Sequence, residues 1–154
     1  MRVQAGTFTT SSTFNNVQID SGTTLVSDGS TINVSGNWTN NGGTFTPAAG
    51  TSELNGGGAR RWGGTAASQS FNSFTVNKGG GALTGGGSTA TLTIGGNLTL
   101  TAGIRLRRAP QPPSMWPSAW ANNGGTFNAG SGHGQFSTAG RPQTISGTPA
   151  NHLQ

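Results

Sequence analysis

Residues able to carry out catalysis are scarce in this 154-residue chain. The acidic residues are Asp20, Asp28 and Glu53, and general acid–base catalysis needs two positioned groups. Asp20 and Asp28 lie beside Ser or Gly, where short acidic side chains commonly serve in turns. The sequence therefore predicts neither a catalytic carboxylate pair nor a calcium site built from clustered acids.

Other catalytic and cofactor patterns are also missing. His133 and His152 lie in Gly-rich or terminal sequence without a second ligand nearby, and a zinc site needs three or four ligands. The chain has no Cys, and no Gly-x-Ser-x-Gly motif lies between a strand and a helix. The glycine triplets 79–81 and 85–87 lack the Lys-Ser/Thr that a phosphate loop requires. We therefore expect a protein that is not an enzyme and holds no metal or cofactor.

Residues that could bind a ligand are easier to identify than catalytic residues, because the flat rings of tryptophan can stack on sugars. Trp38 and Trp120 occupy the same position as Leu98 in their sequence blocks, which predicts that they point into the core. The remaining candidates for ligand contact are Trp62, Trp116, Arg60 and Arg61. A second surface pattern is Thr-x-Thr at Thr91/Thr93 and Thr99/Thr101, since regular threonine arrays on a flat β face can order water and bind ice.

The elements that must position these residues are short strands. Apolar residues alternate with Thr, Asn, Gln or Ser, the pattern of half-buried strands, as at Val17, Ile19, Ile32, Val34, Phe74, Val76, Leu92, Ile94, Leu98 and Leu100. Clusters of Gly, Asn and Asp lie between them and suit tight turns. Helical periodicity is not sustained anywhere. The sequence predicts an all-β chain with a strand every eight to twelve residues.

Internal repetition favours a solenoid over other all-β folds. The block Trp38–Phe45 recurs at 120–127, the block 14–19 recurs at 71–76, and the block 31–38 recurs at 91–98. Such recurrence indicates stacked units, with equivalent strands on top of one another and Asn ladders at the corners. We predict a right-handed parallel β-helix (β-solenoid) of several short coils. A β-sandwich or a partly disordered chain is the alternative.

Charge is concentrated in one segment. The net charge is +5, and Arg105, Arg107 and Arg108 supply three of the eight positive charges, so the basicity does not indicate nucleic-acid binding. These residues lie in 104–118, a Pro/Arg-rich segment predicted to be either an irregular insertion or the product of a reading-frame error. We expect solenoid repeats over 1–103, resumed repeat over 119–154, and a frame error again at 150–154. The apolar stretches are too short to span a membrane, and residues 1–6 lack a signal peptide.

The chain resembles large bacterial cell-surface proteins with Gly/Thr/Asn-rich repeats. The resemblance lies in the blocks Gly36–Phe45, Phe71–Lys78 and Gln143–Thr148, and in style it is that of autotransporter and adhesin passenger β-helices. It implies an exported, extracellular parallel β-helix, of which this chain is a fragment. The chain departs from the pattern at 59–64, where a Gln-Thr-Ile-Ser-like strand is expected, and across 104–118. Regular stacking is therefore predicted to fail at both places.

The resulting expectation is a structural or adhesive repeat segment whose partners are surface glycans or other cell-surface proteins. The alternative is a carbohydrate-binding module that uses its Trp faces. Weaker alternatives are a polysaccharide-acting β-helix enzyme and an ice-binding face. Because the terminal coils of a solenoid expose unpaired strand edges, edge-to-edge self-association is also expected.

Overall fold

The computed structural model describes residues 1–4, 6–10 and 12–101, and beyond them the backbone of six further strands. Only the backbone is described for those six strands and for Thr7–Thr10. The described residues contain strands and turns but no helix, and accordingly no helix among them is long and apolar enough to cross a membrane.

The strands form three sides of a solenoid. Side 1 consists of β1 Arg2–Val3, β4 Val17–Asp20, β7 Trp38–Asn41, β10 Arg60–Gly64, β13 Ala82–Gly87, β16 Arg105–Arg107 and β19 Thr126–Asn128. Side 2 consists of β2 Thr7–Thr10, β5 Thr24–Ser27, β8 Thr44–Thr46, β11 Ser68–Phe71, β14 Thr91–Ile94, β17 Ser114–Trp116 and β20 Gly134–Phe136. Side 3 consists of β3 Thr13–Phe14, β6 Ile32–Val34, β9 Thr51–Leu54, β12 Ser73–Val76, β15 Asn97–Leu100, β18 Ala119–Asn122 and β21 Thr144–Gly147.

The chain visits the three sides in turn, so three consecutive strands make one coil. Coil 2 spans 17–34, coil 3 spans 38–54, coil 4 spans 60–76 and coil 5 spans 82–100. Sides 1 and 3 are each one seven-stranded sheet, whereas side 2 is divided into the ladders β2–β5–β8, β11–β14 and β17–β20. Every one of these ladders is parallel, for example at Val17↔Trp38 and Phe74↔Leu98. The prediction of a parallel β-solenoid is confirmed, and the alternative of a sandwich of hairpins is wrong.

The core is a narrow column of side chains from all three sides. Alternation along each strand points every second residue inward, as in β4, where Val17 and Ile19 are fully buried and Gln18 and Asp20 are half-buried. On side 3, Val34, Leu54, Val76 and Leu100 stack in adjacent coils. Each such side chain contributes about 1.5–3 kcal/mol when it is removed from water. The alternation of apolar and polar residues thus forms a core, although only 30% of the residues are hydrophobic.

An aromatic cluster fills the column between coils 3 and 4. The ring centroids of Trp38 and Phe45 lie 4.7 Å apart in an edge-to-face arrangement, and those of Trp38 and Phe71 lie 5.2 Å apart. Phe71 stacks on Phe74 at 4.6 Å. Trp38 is 1% exposed, which confirms that its side chain belongs to the core. Aromatic pairs of this geometry contribute about 0.5–1.5 kcal/mol beyond burial of their area.

In each of the three pairs of recurring sequence blocks, the two blocks do not stack on one another, contrary to our expectation. Trp38 begins β7 on side 1, whereas Trp120, at the same place in its block, lies in β18 on side 3. Likewise the block containing β6 lies on side 3 and its counterpart containing β14 lies on side 2. The reason is that all three sides have the same inward–outward alternation. The sequence therefore repeats by single strands, each with its Gly-Asn corner, and similar blocks can lie on any side. Trp120 and Leu98, which occupy the same position in their blocks, are register partners in adjacent coils of side 3.

The segment 59–64 stacks regularly, which corrects the prediction of an interruption there. Trp62 pairs with Trp38 in one neighbouring coil and with Gly85 in the other. The strand turns its corner through Gly64, whose φ of 133° is costly for other residues. A Cβ on Gly64 would clash with the carbonyl oxygen of Asn40 in the adjacent coil. Glycine at this position therefore allows the two coils to approach closely.

Much of the segment 104–118 lies outside the described residues, as do the whole of 102–104 and 148–154. Within the segment the backbone contributes β16 and β17, and β16 pairs in parallel with β13 through Leu106 and Leu83. Its interpretation as an insertion or as a frame error stays a prediction, as does the frame error at 150–154.

Candidate functional surface

The described carboxylates lie on different parts of the solenoid. Asp20 ends β4 on side 1, Asp28 lies in the corner after β5, and Glu53 lies outward on β9 of side 3. Asp28 accepts a hydrogen bond from the backbone N–H of Ser30 at 2.9 Å, which is the predicted turn role. Among residues 1–101 that the structure describes, no group of three or more His, Asp or Glu is arranged to hold a metal ion.

Asp20 is held by its neighbours as an anion. Gln18 Nε2 donates to Asp20 Oδ1 at 2.8 Å, and Arg2 Nε donates to Oδ2 at 2.7 Å. The hydrogen bond from Gln18 lowers the pKa of Asp20 most, and Arg2 and Asn41 lower it further against the opposing effect of desolvation. A carboxylate with a lowered pKa is poorly suited to act as a general acid.

Trp62 lies in the core and not at the surface. Its side chain is 2% exposed, and its indole packs over the backbone of Gly85 in the next coil, where a Cβ would meet Cζ2 at 2.8 Å. The ring is therefore not available to stack on a sugar. The prediction of Trp62 as a ligand contact is therefore wrong. Two charged arginines precede Trp62 in the sequence, but its register with Trp38 places the ring inward.

A pair of unpartnered donors lies beside the aromatic cluster. Trp38 Nε1 donates to Gln69 Oε1 at 3.3 Å, and Gln69 is 2% exposed. Within the described residues, Gln69 Nε2 and Trp62 Nε1 are buried without a hydrogen-bond partner. Buried polar groups of this kind are usually satisfied by an internal water. This polar spot belongs to the core and is not open to a ligand.

The predicted arginines flank a corner that joins side 3 of one coil to side 1 of the next. Arg60 is half-buried, and its Nε donates to the carbonyl oxygen of Ser35 at 2.9 Å. Lys78, the single lysine of the chain, is 2% exposed and donates through Nζ to the carbonyl oxygens of Gly56 at 2.5 Å and Gly58 at 2.6 Å. We call Ser35, Gly56, Gly58, Arg60 and Lys78 the Lys78 corner.

The cations of the Lys78 corner bind backbone carbonyls of other coils. Burial lowers the pKa of the Lys78 ammonium, and the nearby charge of Arg60 lowers it further. Arg61 is exposed, and its backbone N–H donates to Asn37 Oδ1 at 2.9 Å. In the same way the N–H of Asn37 donates to Asn16 Oδ1 at 2.8 Å. The predicted Asn ladder is therefore confirmed, as a ladder from side chain to main chain.

Of the predicted ligand contacts, the structure brings together Arg60, Arg61 and Trp62 as successive residues of β10. They do not form one surface, because Trp62 points inward and Arg60 bonds to the corner. The side chain of Trp116 lies outside the described part of the molecule, so its predicted role stays a prediction.

Side 2 carries a surface of a different kind. Outward positions of its strands in coils 2–5 hold small, uncharged residues, which we call the hydroxyl face: Thr24, Val26, Thr44, Thr46, Ser68, Ser70, Thr91 and Thr93. The inward positions between them are apolar or amide, such as Leu25, Gln69 and Leu92. Sequence analysis identified Thr91 and Thr93 alone, because adjacency of the others depends on stacking register.

Register aligns the hydroxyl face into two rows. Thr24 pairs with Thr44 and Val26 with Thr46, and in the second ladder Ser68 pairs with Thr91 and Ser70 with Thr93. The predicted Thr99 and Thr101 do not belong to it: Thr99 lies on side 3, and the Thr101 hydroxyl donates to the carbonyl oxygen of Val76 and to Asn77 Oδ1.

No protein-family model, curated protein or solved structure matches the chain.

Proposed function

We propose that this chain is a structural repeat segment of an exported bacterial surface protein, working as a stiff spacer without catalysis. The observation that carries the proposal is the pair of seven-stranded parallel sheets, which run the length of the solenoid. Their interstrand hydrogen bonds lie along the axis, so an extending force acts on many bonds at once. A chain built in this way suits projection from a cell.

The corners support the same role. Asn16, Asn37 and Asn72 each bond to the main chain of an adjacent coil, and Thr89 donates to the carbonyl oxygen of Ala66 at 2.8 Å. A hydrogen bond of this kind contributes about 0.5–1.5 kcal/mol. Repeated at successive coils, such bonds give a stack in which stability is the sum of neighbouring interfaces.

The contacts of the acidic side chains Asp20 and Glu53 with neighbouring residues support a non-catalytic role. Asp20 pairs with Arg2, and Glu53 Oε1 accepts a hydrogen bond from Asn77 Nδ2 at 3.1 Å. The two carboxylates lie on different sides of the solenoid. Polysaccharide hydrolysis by an acid pair needs the two groups to face one scissile bond.

A carbohydrate-binding module that uses Trp faces has less support, since Trp38 and Trp62 are core residues. Surface glycans and other surface proteins remain the proposed partners, and edge-to-edge association remains a proposed property of this solenoid.

Labelling of intact cells tests the export. Antibodies raised against the purified chain should label unpermeabilised cells of the source organism, while antibodies against a cytoplasmic protein label them only after permeabilisation. Labelling that requires permeabilisation would contradict the proposal. A reducing-sugar assay over a panel of polysaccharides tests the proposed lack of catalysis. Release of sugar by the purified chain would contradict it.

A further inference from the structure

The hydroxyl face is set apart from the other two sides by its lack of charge. Its outward positions in coils 2–5 are Thr, Ser and Val, whereas side 1 presents Arg2, Asp20 and Arg61 and side 3 presents Glu53. Asp28 is the charged residue at its margin, in the corner beyond β5. An ionic partner, whether nucleic acid, acidic polysaccharide or anionic lipid, would find no complementary charge on this face.

Within the described part of the chain, the hydroxyls of this face make no contribution to the hydrogen bonds of the fold. Thr44, Thr46, Ser68 and Ser70 are exposed, and no hydrogen bond joins their side chains to another described residue. Corner hydroxyls behave differently, since those of Thr23, Thr89 and Thr101 all bond to carbonyl oxygens of the main chain. The face therefore offers donors and acceptors that no described residue satisfies and that are exposed to solvent or to an external partner.

The spacing of these groups is fixed in two directions. Stacked residues such as Thr24 and Thr44 are separated by the strand spacing of about 4.8 Å, and residues two apart in a strand by about 6.6 Å. Threonine is stiff at χ1, so its hydroxyl and methyl lose little freedom on binding. The buried residues beneath, such as Leu25 and Leu92, hold the strands in place.

These observations fit a partner that is neutral, flat and periodic in two dimensions. Sugar-binding faces present aromatic rings, but Phe45 and Phe71 of side 2 are directed into the aromatic cluster. Ice is a neutral lattice of hydroxyl donors and acceptors with repeats of a few ångströms, and waters ordered on an array of hydroxyls could bridge the protein to such a lattice. We propose that the hydroxyl face binds ice, acting through its two ladders in coils 2–3 and 4–5.

The test is retardation of ice growth by the purified full chain, measured as thermal hysteresis and as partition of the protein into a growing ice front. Wild type should retard growth and enter the ice. Thr46→Lys and Thr93→Lys place a long charged side chain on the face and should abolish most of both effects. Thr75→Lys and Thr99→Lys make the same change on side 3 and should retain them.

Far-UV circular dichroism verifies that each variant folds. If either Thr46→Lys or Thr93→Lys fails to fold, the other variant still provides the test. The wild-type measurement decides the proposal even without them, because a wild type that neither retards growth nor enters ice overturns it. Equal loss in Thr99→Lys would also overturn it. Binding of wild type to microcrystalline cellulose or chitin without an effect on ice would assign the face to a polysaccharide surface instead.

Discussion

The Lys78 corner and the hydroxyl face are both polar, but they differ in whether their polar side chains form hydrogen bonds within the fold. In the corner, Lys78 and Arg60 donate to carbonyl oxygens of other coils. On the hydroxyl face, Thr44 and Ser70 make no side-chain hydrogen bond to any described residue. The difference indicates that corners hold the coils together, while the face is free for contacts outside the molecule. Substitutions on the two should therefore differ in their effect on the free energy of unfolding.

The largest expected effect lies next to the corner, at Trp62. Trp62→Ala empties a buried site between Trp38 and Gly85 and should lower the free energy of unfolding by about 3–5 kcal/mol, measured by urea denaturation. A loss below about 1 kcal/mol, within the range of surface substitutions, would show that the ring is at the surface after all.

Lys78 should be next. Lys78→Met keeps an apolar stem but leaves the carbonyls of Gly56 and Gly58 without their donor, so unfolding free energy should fall by about 1–3 kcal/mol. The exposed Arg61→Met is the matched control, with a change within about 0.5 kcal/mol. If the two changes are equal, the corner does not depend on its buried cation.

The pH dependence of stability checks the same lysine. Its folded-state pKa is below the ordinary value of 10.5, so between the two values the unfolded chain binds more protons than the folded chain. Stability from this group should therefore rise with pH across that window and stop rising above it. Lys78→Met should remove the rise, and an unchanged profile in the variant would assign the rise to another group.

The Asn ladder should contribute less. Asn37→Ala removes the acceptor for the N–H of Arg61 and should cost about 1 kcal/mol. Asn33 occupies an outward position of side 3, and its side chain makes no hydrogen bond to a described residue, so Asn33→Ala should change stability by about 0.5 kcal/mol or less. Equal costs would mean that strand preference, and not the ladder, sets the effect.

The smallest effect is expected on the hydroxyl face. Thr46→Val keeps the branched shape and matches Val26, its neighbour in the ladder, so unfolding free energy should change by less than about 0.5 kcal/mol. A loss above about 1 kcal/mol would show that the hydroxyl is bonded within the fold, and the comparison between corner and face would fail.

Much of this architecture is readable from the sequence because alternation is local. The inward set Val17, Ile19, Ile32 and Val34 follows from a period of two, and the turn clusters mark where strands end. Stacking register is not local. Coil lengths vary, as the pairs Arg2↔Gln18 and Trp38↔Trp62 show, so similarity between blocks did not reveal which residues are neighbours.

The candidate surfaces were harder to predict for the same reason. The hydroxyl face joins residues from coils 2–5, and only Thr91 and Thr93 form a visible motif among those we singled out. The sequence predicts Trp62 and Arg60 as ligand contacts, but the register of Trp62 with Trp38 places its side chain inward. Lys78 gave no signal, since a lone lysine after a strand is ordinarily solvated.

Cross-linking tests most directly the claim that three alike sides, and not matching blocks, define the stack. The chain has no Cys, so engineered pairs are unambiguous. Ser70→Cys with Thr93→Cys joins register partners of adjacent coils at a separation of about 4.8 Å, within disulfide range, and should oxidise readily to a disulfide. Asn33→Cys with Thr93→Cys joins matching positions of two recurring blocks that lie on different sides, and should remain reduced. A disulfide in the second pair and not in the first would contradict the account.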